Sequence, residues 1–354
     1  MDFISREDIK KNAFENNLKT TMRYRAPGFP AGEMDIVLKG GNAIPSIFTR
    51  EMIDRVVALP EGEMTAPADI EKFMKQVSVS VAVGMADYPT VYQYIYDEIV
   101  NTAFPKKVDV QDFIGMQAAF GIVNDGEGVP QAGFKFKMLD SVSFRTYATS
   151  YSITRKWVQF NEFWKVPQVS KALGIAHNAI LDHIHLSPII KYSYTGKSAT
   201  AKNTTGSTAL ETVYLSLRDG LKDALQRTTS NGFRVRPTIA LCNSATAMDV
   251  QAAVNGLLQK GTQLAGLGQI QTVLSYDGWD GEINGIKYSF EAPKDNEVYL
   301  IMPKLTFKAL VKEDITHLEQ RGNILTLSEV DVVETFTRAV VAEVAHTVQK
   351  VTIA

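Results

Sequence analysis

The clearest pattern of apolar and polar positions in the chain is an alternation with a period of two residues, between residues 134 and 145. Its apolar positions are Phe134, Phe136, Met138, Val142 and Phe144. Lysine, serine and arginine side chains stand between them. A period of two is typical of a β-strand with one buried face. The alternation therefore predicts one arm of a two-stranded ribbon whose even-numbered face is buried.

The length of this ribbon decides what buries that face. The rising arm is predicted at Val108–Phe120, the tip at Gly121–Gly133 and the returning arm at Phe134–Tyr151. An extended arm of 13 residues reaches about 40 Å at roughly 3.3 Å per residue, whereas a compact chain of this length has a radius of gyration near ~20 Å. The ribbon is therefore expected to project, and its apolar face predicts a contact with a neighbouring subunit.

Helical and strand periods after the ribbon predict two lobes. An amphipathic helix is predicted from Pro167 to Ser187, where Pro188 ends the pattern, and the small, polar segment Tyr194–Ser207 is interpreted as a boundary loop. The second lobe is predicted to mix helices and strands, and the alternation near the C-terminus predicts one long strand. The predicted elements of this part are a helix Leu210–Leu225 ended by Asn231 and Gly232, a strand Pro237–Leu241, a helix from Ser244, a strand Val298–Met302 and the terminal strand Val340–Val348.

Composition limits the class of protein. The chain has 354 residues, 45% of them hydrophobic and 21% charged, which suits a soluble protein with a sizeable core and two or three compact units. The net charge of -2 argues against a dedicated nucleic-acid-binding protein, so any DNA contact is expected to be diffuse. Cys242 is the only cysteine, which excludes an intramolecular disulfide. Without a secretory signal or an apolar run of membrane-spanning length, the chain is expected in the cytosol and not in a membrane.

Candidate chemistry does not assemble into an active site. Gly196-Lys197-Ser198 resembles the end of a phosphate-binding loop, but Lys191 stands where that motif needs its first glycine. His177, Asp182, His183 and His185 are close in sequence, yet His183 and His185 point to nearly opposite sides of a helix, which disfavours a shared metal ion. No nucleophile, base and orienting group come together in the sequence. We therefore expect no catalytic, cofactor-binding or metal-binding residues, and a protein that is not an enzyme.

Two stretches resemble a known family. They are Phe144–Trp157, which leads from the ribbon through Ile153, Thr154 and Arg155 towards the long helix, and Gly232–Asn243, a strand that follows a helix. Their order along the chain resembles that in the major capsid proteins of tailed bacteriophages, which have the Hong Kong 97-like fold. The resemblance implies an α+β fold with an N-terminal arm, an extended β-hairpin loop, a peripheral domain with a long spine helix, and an axial α/β domain.

The resemblance also implies a division of the chain and a set of partners. Its parts would be the arm with attached helices (1–104), the hairpin loop (105–152), the peripheral domain with the spine helix (153–205), the axial domain (206–305) and C-terminal strands that complete the peripheral domain (306–354). Copies of the chain would form pentamers and hexamers of an icosahedral or prolate shell around double-stranded DNA. A separate scaffolding protein, a portal and a decoration protein are the further partners expected. The protein would assemble in the host cytoplasm and reside in the virion.

Two other functions stay open at this point. The same fold builds encapsulin compartments, whose shells hold enzymes in place of DNA. An α/β enzyme is the alternative from a different class, and there the long hairpin would be a lid or a dimerisation arm. The sequence contains no catalytic constellation that favours the enzyme.

Overall fold

The structure is a computed structural model of the chain. It describes residues 22–25, 35–38, 80–114, 116–117, 133–134, 140–154, 165–259, 262–264, 266–283, 286–321 and 328–353. Most of the predicted N-terminal arm and the ribbon tip lie outside the described residues. The chain divides into two compact units, the first made of Met1–Thr90, Thr149–Ile180 and His317–Val333, and the second of Val91–Ala148, Leu181–Thr316 and Glu334–Ala354.

The α+β class predicted from the sequence is confirmed, since helices and strands both recur along the described chain. The helices are α1 (80–87), α2 (Tyr92–Ile95), α3 (Gln111–Ile114), α4 (Lys165–Ile190), α5 (Ala209–Gln226), α6 (Ser244–Asn255) and α7 (Val344–Thr347). The first strands are β1 (Met22–Arg25), β2 (Asp35–Leu38), β3 (Asp97–Val100), β4 (Lys107–Asp109), β5 (Met116–Gln117), β6 (Gly133–Phe134), β7 (Ser141–Ser143), β8 (Arg145–Thr154) and β9 (Ala199–Thr200). The later strands are β10 (Ile239–Cys242), β11 (Leu257–Gln259), β12 (Thr262–Leu264), β13 (Thr272–Ser275), β14 (Trp279–Ile283), β15 (Ile286–Phe290), β16 (Glu297–Ile301), β17 (Phe307–Arg321), β18 (Ser328–Ala342) and β19 (Val348–Thr352).

A five-stranded sheet organises the second unit, in the order β13-β10-β16-β19-β9. The sheet is mixed, because β10 is parallel to β13 and antiparallel to β16, while β19 is antiparallel to β16 and parallel to β9. Val298 and Leu300 of β16 join one core cluster with residues of α5 and α6, and Tyr299 and Ile301 between them are buried as well. A strand buried on both faces has a continuous apolar sequence, which explains why β16 lacks alternation.

A second sheet contains the two longest strands, in the order β3-β17-β18-β8. β3 runs parallel to β17, with Asp97 opposite Lys308 and Val100 opposite Val311. Strands of 15 residues such as β17 and β18 far exceed the usual length of about 5 to 6. The sequence indicated one long strand outside the ribbon, near the C-terminus, but not the 15-residue lengths of β17 and β18.

The ribbon keeps one antiparallel register, but its rising arm is not one continuous strand as predicted. Lys107 pairs with Ser143, and Met116 pairs with Phe134. The rising arm thus advances nine residues while the returning arm falls back nine, so no residue is inserted on either side. The helical turn α3 interrupts the rising arm, with the amides of residues 113 and 114 donating to the Val110 carbonyl. Ile114, at the end of this turn, is buried.

Three predicted element ends are also wrong. The long helix runs through Pro188 to Ile190: a proline two residues from the helix end removes only one backbone hydrogen bond, and burial of Leu186 and Ile189 favours the extra turn. α5 ends at Gln226, before Asn231 and Gly232, which instead form a tight turn. The predicted C-terminal strand is not continuous, because α7 separates the end of β18 from β19. β19 lies in the five-stranded sheet.

Glycines bring two helices of the first unit into close contact. A Cβ atom on Gly84 of α1 would lie 2.0 Å from the Lys171 carbonyl oxygen, and one on Gly174 of α4 would lie 2.1 Å from the Val81 carbonyl oxygen. Asn178, one turn further along α4, donates from Nδ2 to the carbonyl oxygens of Met85 and Tyr88, both at 2.7 Å. The side-chain amide therefore satisfies carbonyls at the end of α1 that the helix itself leaves without donors.

Gly174→Ala is expected to destabilise the chain by roughly 1–3 kcal/mol, because the added methyl group overlaps backbone atoms that cannot move aside. Replacing a glycine inside a helix with alanine usually stabilises the helix, so the expected loss of stability is opposite to the usual effect. Urea-induced unfolding of the purified chain measures the difference. Gly268→Ala is the matched control, since a Cβ there meets no atom within 4 Å. Equal stability of the two variants would contradict the close helix contact.

Candidate assembly surface and the core that supports it

The base of the ribbon is anchored in its own chain. Val108 of β4 lies opposite Val142 of β7, and this pair packs with Ile114 on a cluster that includes Leu310 of β17 and Ala339 of β18. Phe144 stacks on Phe104, with ring centroids 5.3 Å apart. The ribbon therefore begins as a packed extension of the second unit.

The structure brings together two of the five predicted contact residues. Val142 and Phe144 are half-buried at the ribbon base, where their own chain covers part of each side chain. The backbone of Phe134 belongs to β6, opposite Met116. Phe136 and Met138 lie outside the described residues. Contact of these five residues with a neighbouring subunit stays a prediction.

A buried guanidinium holds the elements next to the ribbon base. Arg338 of β18 is only 4% exposed, and its Nη1 lies 3.0 Å from both the Tyr92 hydroxyl and a Glu98 carboxylate oxygen. Its Nη2 lies 3.6 Å from Asp314 Oδ1. Burial lowers the pKa of Arg338, but Tyr92, Glu98 and Asp314 more than offset this and raise it above its ordinary value. Arg338 is thus charged, and it links α2, β3 and β17 to β18.

Asp182 of the long helix fixes the start of α2. Its Oδ1 accepts hydrogen bonds from the backbone amides of Val91 and Tyr92, at 2.8 and 2.9 Å. Burial raises the pKa of this carboxyl to about 7, although the two amide hydrogen bonds oppose the change. Its Oδ2 is buried without a hydrogen-bond partner among the described residues. A proton on Oδ2 is the form that suits this environment, because it removes a buried charge.

His185 lies one helical turn from Asp182 and is neutral. Its ring stacks on Tyr92 at a centroid distance of 4.1 Å, and Tyr96 donates from its hydroxyl to the His185 carbonyl oxygen. Nδ1 lies 2.6 Å from the Leu181 carbonyl oxygen, so the ring proton is on Nδ1 and Nε2 is an acceptor. Burial lowers the pKa of His185 to about 3. Nε2 also lacks a partner within the described chain.

The histidines for which the sequence disfavoured a shared metal ion have different neighbours. His183 stacks on Phe290 at 4.3 Å, whereas His185 stacks on Tyr92, as expected for residues two apart on a helix. Within the described ranges, no group of three or more His, Cys, Asp and Glu side chains is arranged to hold a metal ion.

Burial raises the pKa of Cys242 to about 12, which makes its thiol unreactive at neutral pH.

The glycine–lysine–serine motif does not form a phosphate cradle. Gly196–Ser198 is a single 3-10 turn, in which Ser198 donates from Oγ to the Thr195 carbonyl oxygen at 2.9 Å. The serine hydroxyl is thus used inside the turn.

No helix in the described part of the chain has the length and apolar character needed to span a membrane.

Sequence reasoning missed the polar stripe that supports this core. Asn178, Asp182 and His185 recur at steps of four and three residues, so they share one face of the long helix, and all three are buried. This spacing was visible in the sequence. A search for helical periodicity among polar residues, and not only among apolar ones, would have found it.

Solved structures to which the chain is similar include a virus-like particle and capsids. The virus-like particle from Pyrococcus furiosus is 12% identical, with 78% of this chain and 98% of that chain covered and a TM-score of 0.45. The capsid of the cyanophage P-SCSP1u is 10% identical, with 75% and 89% covered and a TM-score of 0.47. The capsid of an empty GTA particle is 14% identical, with 75% and 90% covered and a TM-score of 0.42. No protein-family model and no curated protein matches the chain.

Asp182→Asn is expected to stabilise the chain increasingly as the pH rises from about 4 to 7. The native carboxyl titrates at about 7 when folded, against an ordinary 3.8, so the folded chain holds a proton in this window that the unfolded chain has released. Native stability is therefore lost as the pH rises, whereas the amide keeps an acceptor for both backbone hydrogen bonds and cannot ionise. At about 1.4 kcal/mol per pH unit, the difference reaches roughly 4 kcal/mol above pH 7.

Urea unfolding at several pH values between 4 and 8 measures this difference. The lowered pKa of His185 gives a slope of opposite sign between about pH 3 and 6.5, but it is common to both proteins and cancels in the comparison. Asp140→Asn, at an exposed position, is the control and is expected to leave the pH dependence unchanged. An Asp182→Asn effect of constant size across the pH range would contradict the raised pKa.

Proposed function

We propose that this chain is a major capsid protein that assembles, through pentamers and hexamers, into a closed icosahedral or prolate shell around double-stranded phage DNA. The proposal starts from the resemblance of Phe144–Trp157 and Gly232–Asn243 to that family. It also follows the order of parts in the fold: ribbon, long helix, mixed five-stranded sheet and long returning strands. Its role is structural, because each copy serves as a surface for other copies.

The ribbon is the observation that carries this proposal. Its base is packed on the chain's own core, and further out β5 and β6 pair only with each other among the described strands. A two-stranded ribbon is marginally stable in water when nothing covers it. A neighbouring copy that lies against the apolar face predicted from the sequence would supply the missing burial.

The buried core suits a subunit that contacts its neighbours through several separate surfaces. Arg338 and Asp182 connect the elements around the ribbon base through buried polar contacts within the second unit. Many modest contacts between such subunits would give a stable shell, since each contact formed raises the effective concentration for the next. The net charge of -2 suits diffuse contact with packaged DNA. A scaffolding protein, a portal and a decoration protein are the other partners of the proposed virion.

The purified chain is expected to form closed shells, tubes or ring-shaped capsomers, which negative-stain microscopy and size-exclusion chromatography detect. Deletion of the tip, Gly121–Gly133, is expected to leave the subunit folded but to abolish shell closure, because the neighbour contact is lost. Circular dichroism checks the fold of the variant. A discrete dimer or tetramer of the native chain would contradict the capsid proposal, and normal shells from the deletion variant would contradict the role of the ribbon.

A narrower test compares the two faces of the returning arm. Phe136→Ser places a polar side chain on the predicted contact face and is expected to lower the yield of closed particles at least tenfold. Lys137→Ser changes the next residue, on the opposite face, and is expected to assemble as the native chain does. Particle yield is measured by sedimentation after assembly under identical conditions. Equal yields from the two variants would show that the alternation does not mark a contact face.

A further inference from the structure

A surface groove in the second unit has the chemistry of a docking site. Its volume is about 580 Å³, and its walls come from the end of the long helix, the loop after α5 and the turn between β18 and β19. The lining is mostly apolar, with Pro188, Tyr192, Ala342, Val344 and Ala345 among its residues. An apolar groove of this size accommodates a large side chain from another molecule.

One carboxylate oxygen in this groove lacks a hydrogen-bond donor among the described residues. Glu343 is 7% exposed, and its Oε1 accepts a hydrogen bond from the Ser230 amide at 3.1 Å. Its Oε2 is buried without a partner among the described residues. A buried carboxylate oxygen without a donor is costly, and a cation or an N–H group brought by an occupant would remove that cost. The groove therefore fits an apolar side chain with a cationic neighbour.

The loop next to the groove displays these two features. Thr229 and Phe233 exchange hydrogen bonds, with the Thr229 amide donating to the Phe233 carbonyl at 2.8 Å and the Phe233 amide donating to Thr229 Oγ1 at 3.1 Å. Gly232 allows this tight turn with a φ of 83°. Phe233 is 58% exposed at the tip, and Arg236 follows it with no described partner for its guanidinium. An exposed aromatic ring held by a hydrogen-bonded turn is a preorganised anchor.

We propose that Phe233 of one copy enters the groove of a second copy, and that Arg236 of the same loop pairs with Glu343. Ser230 belongs to both the loop and the groove wall, so anchor and groove lie side by side on one surface. Two copies related by a two-fold axis then exchange anchors, each filling the groove of the other. The opposite charges of Arg236 and Glu343 select this orientation. The inference rests on the proposed capsid function and assigns one of its contacts between copies.

Mixed cross-linking tests this contact in the full-length chain. One preparation carries Arg234→Cys, at an exposed position next to the Phe233 anchor, and a second, with a different mass tag, carries His346→Cys, at an exposed position of the groove wall. The two are mixed, assembled and oxidised, and a covalent dimer with one copy of each tag can form only between chains. The native Cys242 is buried and is present in every sample. The mixed dimer is expected at a yield at least tenfold above that of a mixture of Met248→Cys with His346→Cys.

Met248 is the matched control because it is 80% exposed and belongs to α6 and not to the loop. Equal yields from the two mixtures would overturn the proposed contact. Negative-stain images of the same samples distinguish a failure of the capsid function from a failure of the proposed contact. Closed particles without the mixed dimer would leave the capsid function standing and remove this contact, whereas the mixed dimer without any particles would support the contact and contradict the capsid function.

Discussion

The buried charge of Arg338 is the constraint on which the second unit depends. A guanidinium that is almost fully buried is tolerated only when acceptors surround it, and here they come from three other elements: Tyr92 of α2, Glu98 of β3 and Asp314 of β17. Removing any one acceptor leaves part of a buried charge without compensation. The positions of α2, β3 and β17 relative to β18 are therefore specified by electrostatics as well as by packing.

The same strand that carries this charge also supports the ribbon. Side chains alternate along β18, so Arg338 and Ala339 point to opposite faces, and Ala339 belongs to the apolar cluster under the ribbon base. Asp182 and His185 extend the polar core from the long helix to α2, where Tyr92 contacts both the imidazole and the guanidinium. β18 thus has a buried polar core on one face and the apolar cluster that anchors the ribbon base on the other.

Local patterns predicted the elements better than their ends. The helices α4, α5 and α6 were indicated by periodicity and the strands β10 and β16 by continuous apolar runs, and α6 begins at Ser244 as expected. The misses share a cause. Pro188, the turn α3 and the turn α7 sit where local preference and burial conflict, and burial of Ile189, Ile114 and Val344 decides the outcome. The residues adjacent in sequence determine neither which partner a side chain contacts nor how deeply it is buried.

The sequence by itself determined the mixture of helices and strands after the ribbon, the alternation in the returning arm and the absence of a recognisable catalytic motif, because these follow from the period and identity of neighbouring residues. Only the tertiary structure decided which polar residues form the core, since Tyr92, Asp182 and Arg338 meet across separations of 90 and 246 residues. It also decided that β19 joins the five-stranded sheet and that Phe233 is exposed at a turn. Such pairings depend on how distant segments pack, and packing is a property of the whole folded unit.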